Sequence, residues 1–415
     1  MKIVITNTAV LNTGDAAILF GTLAILRRAL GADLDVVVCD QQDDVAAQCY
    51  PDLDFEPILY DRIAACAGPR RSKAAALAVL AVALLWRTPL GTAAARLLPP
   101  SLRATFLKRT NADLVVSTGG TYFVPHYRLF PKIFELLVTI ALGQPFVLFT
   151  QSLGPFPHHK RLLRFVLRRA RLILVRDQRS RENLLRLGVP RGRIFECADA
   201  AFALSGTVAC RQTEEPIPNR RLRVAVSVRN WPHFQGDSAD AMDRYLDAVA
   251  DTVTMLIERH DALVVFLSTC QGVGEYWTDD SAIAEKVIER LPPDLRKFMF
   301  VDCGFHTPNM LIEALGGYDL VIATRMHVAI LAMCIGVPVL PIAYEFKTVE
   351  LFTRLGLDEH VQHIESVSSP ELCRAVENLL VSRLQLGKTL QLKIEEERRS
   401  AFAAGYYVAA ALEGV

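Results

Sequence analysis

Apolar positions along the chain fall into short runs that alternate with longer amphipathic segments, a spacing that predicts parallel strands joined by helices. In the first half, strands are expected at residues 2–6, 34–39, 114–118, 146–150 and 172–175, with a helix over 15–30 stopped by Gly31. The second half restarts the pattern. Strands at 222–228, 263–268, 298–301, 319–323 and 339–343 alternate with helices near 239–259, 281–290, 308–315 and 328–335. Such alternation implies sheets covered by helices on both faces. Between the halves lies Thr213-Glu214-Glu215-Pro216-Ile217-Pro218-Asn219, whose two prolines exclude regular structure. The expected fold is α/β, two Rossmann-like doubly wound domains facing each other across a cleft. They would occupy residues 1–205 and 221–390, with a linker at 206–220 and a C-terminal helix over 391–415.

Composition narrows the functional classes. With 415 residues, 51% hydrophobic and 22% charged, there is material for two ordinary cores. A formal net charge of +1 supplies no global field for nucleic acid, so charged ligands must be caught locally. Nine cysteines without a C-x-x-C pair point to reduced thiols in a cytoplasmic protein. Cys303 and His306 alone are too sparse for zinc, and no metal is expected. Residues 2–6 enter a strand without a basic and then apolar leader, so no secretory signal is read.

Residues 74–86 are almost pure Ala, Leu and Val, flanked by Arg70, Arg71, Lys73 and Arg87. Thirteen residues are too few to span a bilayer. The segment is either a buried core helix or an interfacial element meeting anionic lipid through residues 70–98, which would place the protein at the inner face of the cell membrane. Oligomeric state is not legible in the sequence.

In doubly wound sheets, ligands bind beyond the carboxyl ends of the strands. There the sequence places Thr324-Arg325-Met326-His327, ahead of a helix apolar on every face and therefore buried. Arg325 could simply pair with a neighbouring carboxylate and His327 could be a core histidine. A charge at a buried helix start nevertheless needs a partner, and the helix N-terminus favours an anion, so a small phosphate or carboxylate compound is expected. Arg229 and Lys347, next to Tyr344, follow two other strands and would converge on the same rim. In the first half, Asn12, Gly14 and Asp15 open the first helix; capping alone would explain Asp15, and a role as base is compatible with it. Gly119-Gly120 and Gln151 follow later strands, as do Arg176-Asp177 and Ser180.

In order along residues 7–356, these motifs resemble the polysaccharide pyruvyl transferases. The resemblance is carried by Asn12-x-Gly14-Asp15, Gly119-Gly120, Gln151-Ser152-Leu153-Gly154-Pro155-Phe156, Arg176-Asp177-x-x-Ser180, Ala198-Asp199-Ala200-Ala201-Phe202, and Arg325-Met326-His327 through Gly336-Val337-Pro338 to Lys347. It implies a GT-B-like fold and transfer of a pyruvyl group from phosphoenolpyruvate to two hydroxyls of a sugar, with a cyclic ketal and phosphate as products. The acceptor would be a cell-surface polysaccharide or a lipid-linked precursor. The expected roles are His327 as general acid, Asp15 as base, Arg229, Arg325, Lys347 and Tyr344 as donor ligands, and Asn12, Gly14, Gly119, Gly120 and Gln151 on the acceptor side, with no cofactor. Histidine suits the acid role because imidazole titrates near neutrality. Thr118 stands where many relatives have a third glycine, and Ala200 where they have proline; both departures bear on the acceptor. The alternatives are a nucleotide-sugar glycosyltransferase of the same architecture and a non-catalytic sugar or lipid-carrier binding protein. Against the first, Glu345 is followed by Glu350 rather than by a glutamate eight residues on.

Overall fold

The computed structural model describes residues 1–68, 70–125, 128–206, 221–234, 238–274 and 276–414, with the side chains of 238 and 384–389 outside the description. Beyond Gly206, the expected linker lies outside the described residues.

The N-terminal sheet contains β1 (Lys2–Thr8), β2 (Asp35–Asp40), β3 (Asp54–Pro57), β4 (Leu114–Ser117), β5 (Gly120–Phe123), β6 (Phe146–Leu153), β7 (Leu172–Val175) and β8 (Ile194–Glu196). Its order is β3-β2-β1-β4-β6-β7-β8, with β5 paired to β6. The C-terminal sheet contains β9 (Arg223–Ser227), β10 (Leu263–Phe266), β11 (Met299–Val301), β12 (Leu320–Ala323), β13 (Val339–Ala343) and β14 (Gln362–His363), in the order β11-β10-β9-β12-β13-β14. Each order reverses beside the sheet's first strand, the topological switch point of a Rossmann-like fold. All pairings are parallel. Covered on both faces, central strands such as β4, β6 and β12 are buried along their whole length and therefore read as apolar runs rather than as alternations.

Two compact units follow from the contacts. One comprises Met1–Leu11, Ile18–Ala203 and Arg399–Val415; the other, Asn12–Ala17 and Leu204–Arg398. The first turn of helix Thr13–Leu30 therefore groups with the C-terminal unit. A single helix, Ser369–Glu413, runs through residue 390, where a boundary was expected, and its residues from Arg399 group with the N-terminal unit.

The apolar run near residue 74 forms helix Ser72–Leu85. One face, with Ala76, Val79, Val82 and Ala83, enters a core shared with Ile58, Phe106 and Phe134, while Leu77, Leu84 and Leu85 on the opposite face are exposed. No helix among the described residues is long and apolar enough to cross a membrane.

Candidate active site in the C-terminal unit

Strand register assembles this site before any side chain is considered. Ala323 of β12 pairs with Ser227 of β9 on one side and with Pro341 of β13 on the other. Arg229 and Arg325 therefore each lie two residues beyond the same rung, and Tyr344 lies three beyond it. Immediately after Arg325, which occupies the N-cap position, helix Met326–Cys334 begins; every residue of it is buried except His327. Its first turn presents backbone N–H groups at the positive end of the helix dipole.

The buried cation at this helix start has a protein partner. Arg325 Nε donates to Asp280 Oδ2 at 2.7 Å and Nη2 to Oδ1 at 2.6 Å, and both residues are buried. Burial works against the charge, but Asp280 outweighs it and holds the guanidinium well above its ordinary range. Two of the guanidinium nitrogens of Arg325, expected among the donor ligands, are thus engaged by Asp280, which also accepts a hydrogen bond from Ser268 Oγ.

Arg229 is placed differently. Its guanidinium lies 4.0 Å from the centre of the Tyr344 ring and 5.1 Å from that of Trp231, and Nε donates to the Asn230 carbonyl at 3.2 Å. Only 8% of the residue is exposed, and among the described residues no carboxylate pairs with it. Lys347 Nζ approaches the same Tyr344 ring at 5.6 Å and pairs with Glu345 at 2.8 Å. Of the three cations read from the sequence, Arg229 and Lys347 share Tyr344. Arg325 is tied to the same neighbourhood through Tyr245, whose buried hydroxyl lies 2.8 Å from Thr324 Oγ1 and is bonded to the Arg229 backbone. Burial pushes that hydroxyl up to about 12.

The turn opening the first helix belongs to this unit as well. Asn12 caps the helix, its Oδ1 accepting from Gly14 N at 2.9 Å, while its Nδ2 donates to Asp15 Oδ2 at 2.9 Å. The helix begins at Thr13, two residues earlier than expected, so Asp15 sits within the first turn and Asn12 takes the cap. Thr13 anchors the turn by N–H to the Thr269 carbonyl at 2.9 Å and Oγ1 to the His306 carbonyl at 2.7 Å. Gly14 lies against His327, and a Cβ there would stand 2.6 Å from His327 Nδ1. Asp15, Asp280 and Arg325 all act on one buried thiol: burial pushes Cys270 up to about 12, with Arg325 lowering it and Asp280 and Asp15 raising it.

Two features escaped the sequence. Asp280 lies 45 residues before Arg325 in a loop with no motif to mark it. His306 Nε2 lies 2.8 Å from Asp302 Oδ2, and its buried Nδ1 has no hydrogen-bond partner among the described residues. The Cys303-x-x-His306 spacing suggests only a sparse zinc signal, whereas the histidine's partner is a carboxylate four residues away.

In the N-terminal unit, the residues expected on the acceptor side lie at the carboxyl ends of β4 and β6. Gln151 is fully buried; its Nε2 donates to Ser117 Oγ at 2.8 Å and to the Thr118 carbonyl at 2.6 Å, and its Oε1 has no partner among the described residues. Gly119 is required by packing, since a Cβ would meet Ile18 Cγ2 at 2.6 Å and Thr150 Oγ1 at 2.9 Å; Gly120 adopts φ 125°. Arg176, Asp177 and Asp199 form a buried lattice. Asp177 caps helix Gln178–Leu187 through Ser180 N at 2.7 Å and accepts from Ser152 Oγ at 2.6 Å, while Arg176 donates to Ser152 Oγ at 2.8 Å and pairs with Asp199.

Comparison with known proteins agrees with this architecture. The chain is 27% identical over 298 residues to the amylovoran biosynthesis protein AmsJ of Erwinia amylovora, covering 69% of this chain and 70% of that one. Its fold is similar to that of a Listeria monocytogenes protein assigned as a UDP-N-acetylglucosamine 2-epimerase (TM-score 0.62, 14% identity, 100% of this chain and 97% of the other). It is also similar to Anabaena HepE in complex with UDP-glucose (TM-score 0.56, 14% identity, both chains fully covered). These likenesses make the fold GT-B-like. Residues 12–345 match the model of the polysaccharide pyruvyl transferases. The match spans the capped turn at Asn12, the Arg176 lattice and the strand ends that carry Arg229, Arg325 and Tyr344, and the chain belongs to the polysaccharide pyruvyl transferase family, transferases of polysaccharide biosynthesis.

Proposed function

We propose that the protein moves the pyruvyl group of phosphoenolpyruvate onto two hydroxyls of a sugar in a cell-surface polysaccharide or its lipid-linked precursor. The observation that carries this reading is Arg229, a buried guanidinium stacked on Tyr344 with no carboxylate partner among the described residues. A buried cation in that state calls for an anion, and a planar fork suits a carboxylate or phosphate. The N-terminus of helix Met326–Cys334 adds positive potential, while the charge of Lys347 on the same ring is offset by Glu345.

In the proposed reaction, His327 gives a proton to the methylene carbon of the donor, which becomes a methyl group and leaves the adjacent carbon electrophilic. One sugar hydroxyl adds to that carbon and passes its proton to Asp15. The bond from this carbon to the phosphate oxygen breaks, with Arg229 balancing the charge of the departing phosphate and Lys347 donating a hydrogen bond to it. A second hydroxyl closes the ketal, its proton goes to the phosphate, and the proton left on Asp15 returns through solvent to His327 for the next turnover. The sum is phosphoenolpyruvate plus diol giving ketal plus inorganic phosphate, and it requires no redox partner. Arg325, neutralised by Asp280, positions the strand-to-helix turn that presents His327.

The test is incubation of the purified protein with phosphoenolpyruvate and the lipid-linked saccharide fraction of its source cells. Phosphate release matched by the mass gain of one pyruvyl ketal is expected. Consumption of a UDP-sugar with no consumption of phosphoenolpyruvate would replace the reading with glycosyl transfer.

A further inference from the structure

We propose that helix Ser72–Leu85, together with the chain that follows it to Leu97, is a docking face for an anionic lipid surface. This inference is independent of the reaction proposed above. Three observations carry it.

The outward face of the helix carries no polar residue over its last three turns. Its inner positions, Ala76, Val79, Val82 and Ala83, are buried in the core, while Ala74, Leu77, Ala78, Ala81, Leu84 and Leu85 are exposed. Leu77 is 69% exposed and Leu84 58%; farther on, Leu90 is 63% exposed and Leu97 85%. Scattered surface leucines need no explanation, but a helix already anchored by one apolar face and showing a second to solvent does.

Charge is the second observation. Residues 62–112 contain nine Lys and Arg and no Asp or Glu, so this stretch carries +9 and the rest of a chain of net +1 carries −8. Arg62, Lys108 and Arg109 pair with Asp43, with Asp54 and Glu56, and with Glu135. The other six, Arg70, Arg71, Lys73, Arg87, Arg96 and Arg103, have no carboxylate partner among the described residues, and all but Arg103 are exposed. Arg70, Arg71 and Lys73 stand at one end of the apolar face and Arg87 at the other, the arrangement in which long cationic side chains reach phosphate headgroups while leucines enter the acyl boundary.

Length is the third. Fourteen residues make a helix of about 21 Å, short of the roughly 30 Å hydrocarbon core, so the helix would lie along the surface. A second copy of the chain is the competing occupant, but a two-fold contact would set this positive segment against itself.

The experiment is sedimentation of the full-length protein with vesicles of phosphatidylglycerol and phosphatidylcholine, compared with phosphatidylcholine alone, in the absence of phosphoenolpyruvate. Binding to the anionic vesicles only, weakened by salt, is expected. Leu77→Glu with Leu84→Glu, and separately Arg70→Glu with Arg71→Glu and Lys73→Glu, should each lower it by roughly 10²-fold. All five positions are exposed, so both variants should keep the wild-type Tm. Absence of binding to anionic vesicles, equal binding to neutral ones, or unchanged binding by folded variants would overturn the proposal. So would light scattering showing a dimer that Leu77→Glu dissociates without any vesicle binding.

Discussion

Replacing Gly14 with alanine should impair catalysis without unfolding the protein. An added Cβ would lie 2.6 Å from His327 Nδ1, 2.8 Å from its Cβ and 2.9 Å from its Cγ. Ordinary contact begins near 3.4 Å, so about 0.8 Å of displacement is needed (3.4 minus 2.6). Rotating the ring cannot supply it, because the imidazole's own Cβ is among the crowded atoms. Gly14 is not among the glycines with positive φ, so alanine brings no backbone strain, and helix propensity favours it by about 0.5–1 kcal/mol. A displacement near 1 Å costs a catalytic group roughly 10²-fold, or about 2.7 kcal/mol on the barrier. The assay is phosphate release from phosphoenolpyruvate in the presence of acceptor, run with thermal unfolding on the same sample. A double-mutant cycle localises the cause: in a His327→Gly background, which also removes the crowded Cβ and is itself slower by roughly 10²–10⁴-fold, Gly14→Ala should cost less than about threefold more. Wild-type kcat for Gly14→Ala, or losses that multiply in the double variant, would refute the placement of His327 as the proton donor.

The Arg176–Asp199 pair is buried, so Asp199→Ala takes its carboxylate from a buried guanidinium and should cost about 3–5 kcal/mol in denaturant unfolding. Less than 1 kcal/mol would show that the lattice is not structural. By contrast, Glu396→Ala, which removes the exposed partner of half-buried Lys393, should change stability by no more than about 0.5 kcal/mol. Burial holds the thiols of Cys39, Cys197 and Cys270 up at about 12, so at pH 8 they stay protonated and should resist alkylation in the native protein while exposed Cys66 and Cys303 react. Rapid modification of Cys270, read by peptide mass, would contradict the closed packing around Arg325.

Where local pattern and tertiary demand coincide, the sequence is easy to read. Helix Pro308–Leu315 and strand Val339–Ala343 fall where periodicity puts them, and the apolar helix after Arg325 is buried because no face of it tolerates water. Edge strands β3, β8 and β14 are only two to four residues long, too short for a period to emerge. The candidate site is legible in its cations and opaque in their partners. Arg325 had to have a counter-charge, but which one depends on a loop that brings Asp280 back across 45 residues. An acidic residue at a helix start suits a cap as well as a base, so the sequence leaves both open for Asp15; it is the Asn12 side chain that reaches the free N–H. The Arg176-Asp177-x-x-Ser180 motif was conspicuous for a structural reason: it interlocks β6, β7 and the segment around Asp199. Helix Ser72–Leu85 was framed as either core or interface, and its two faces divide between core and solvent.

The central claim is that Arg229 holds the donor, and calorimetric titration of phosphoenolpyruvate into the wild type and into Arg229→Gln measures it directly. Losing a charge-assisted bidentate contact to a buried guanidinium should weaken binding by roughly 10²-fold, given about 1.5–3 kcal/mol for each hydrogen bond to a charged group. Equal affinity in the two proteins, or no heat of binding in the wild type, would contradict the account.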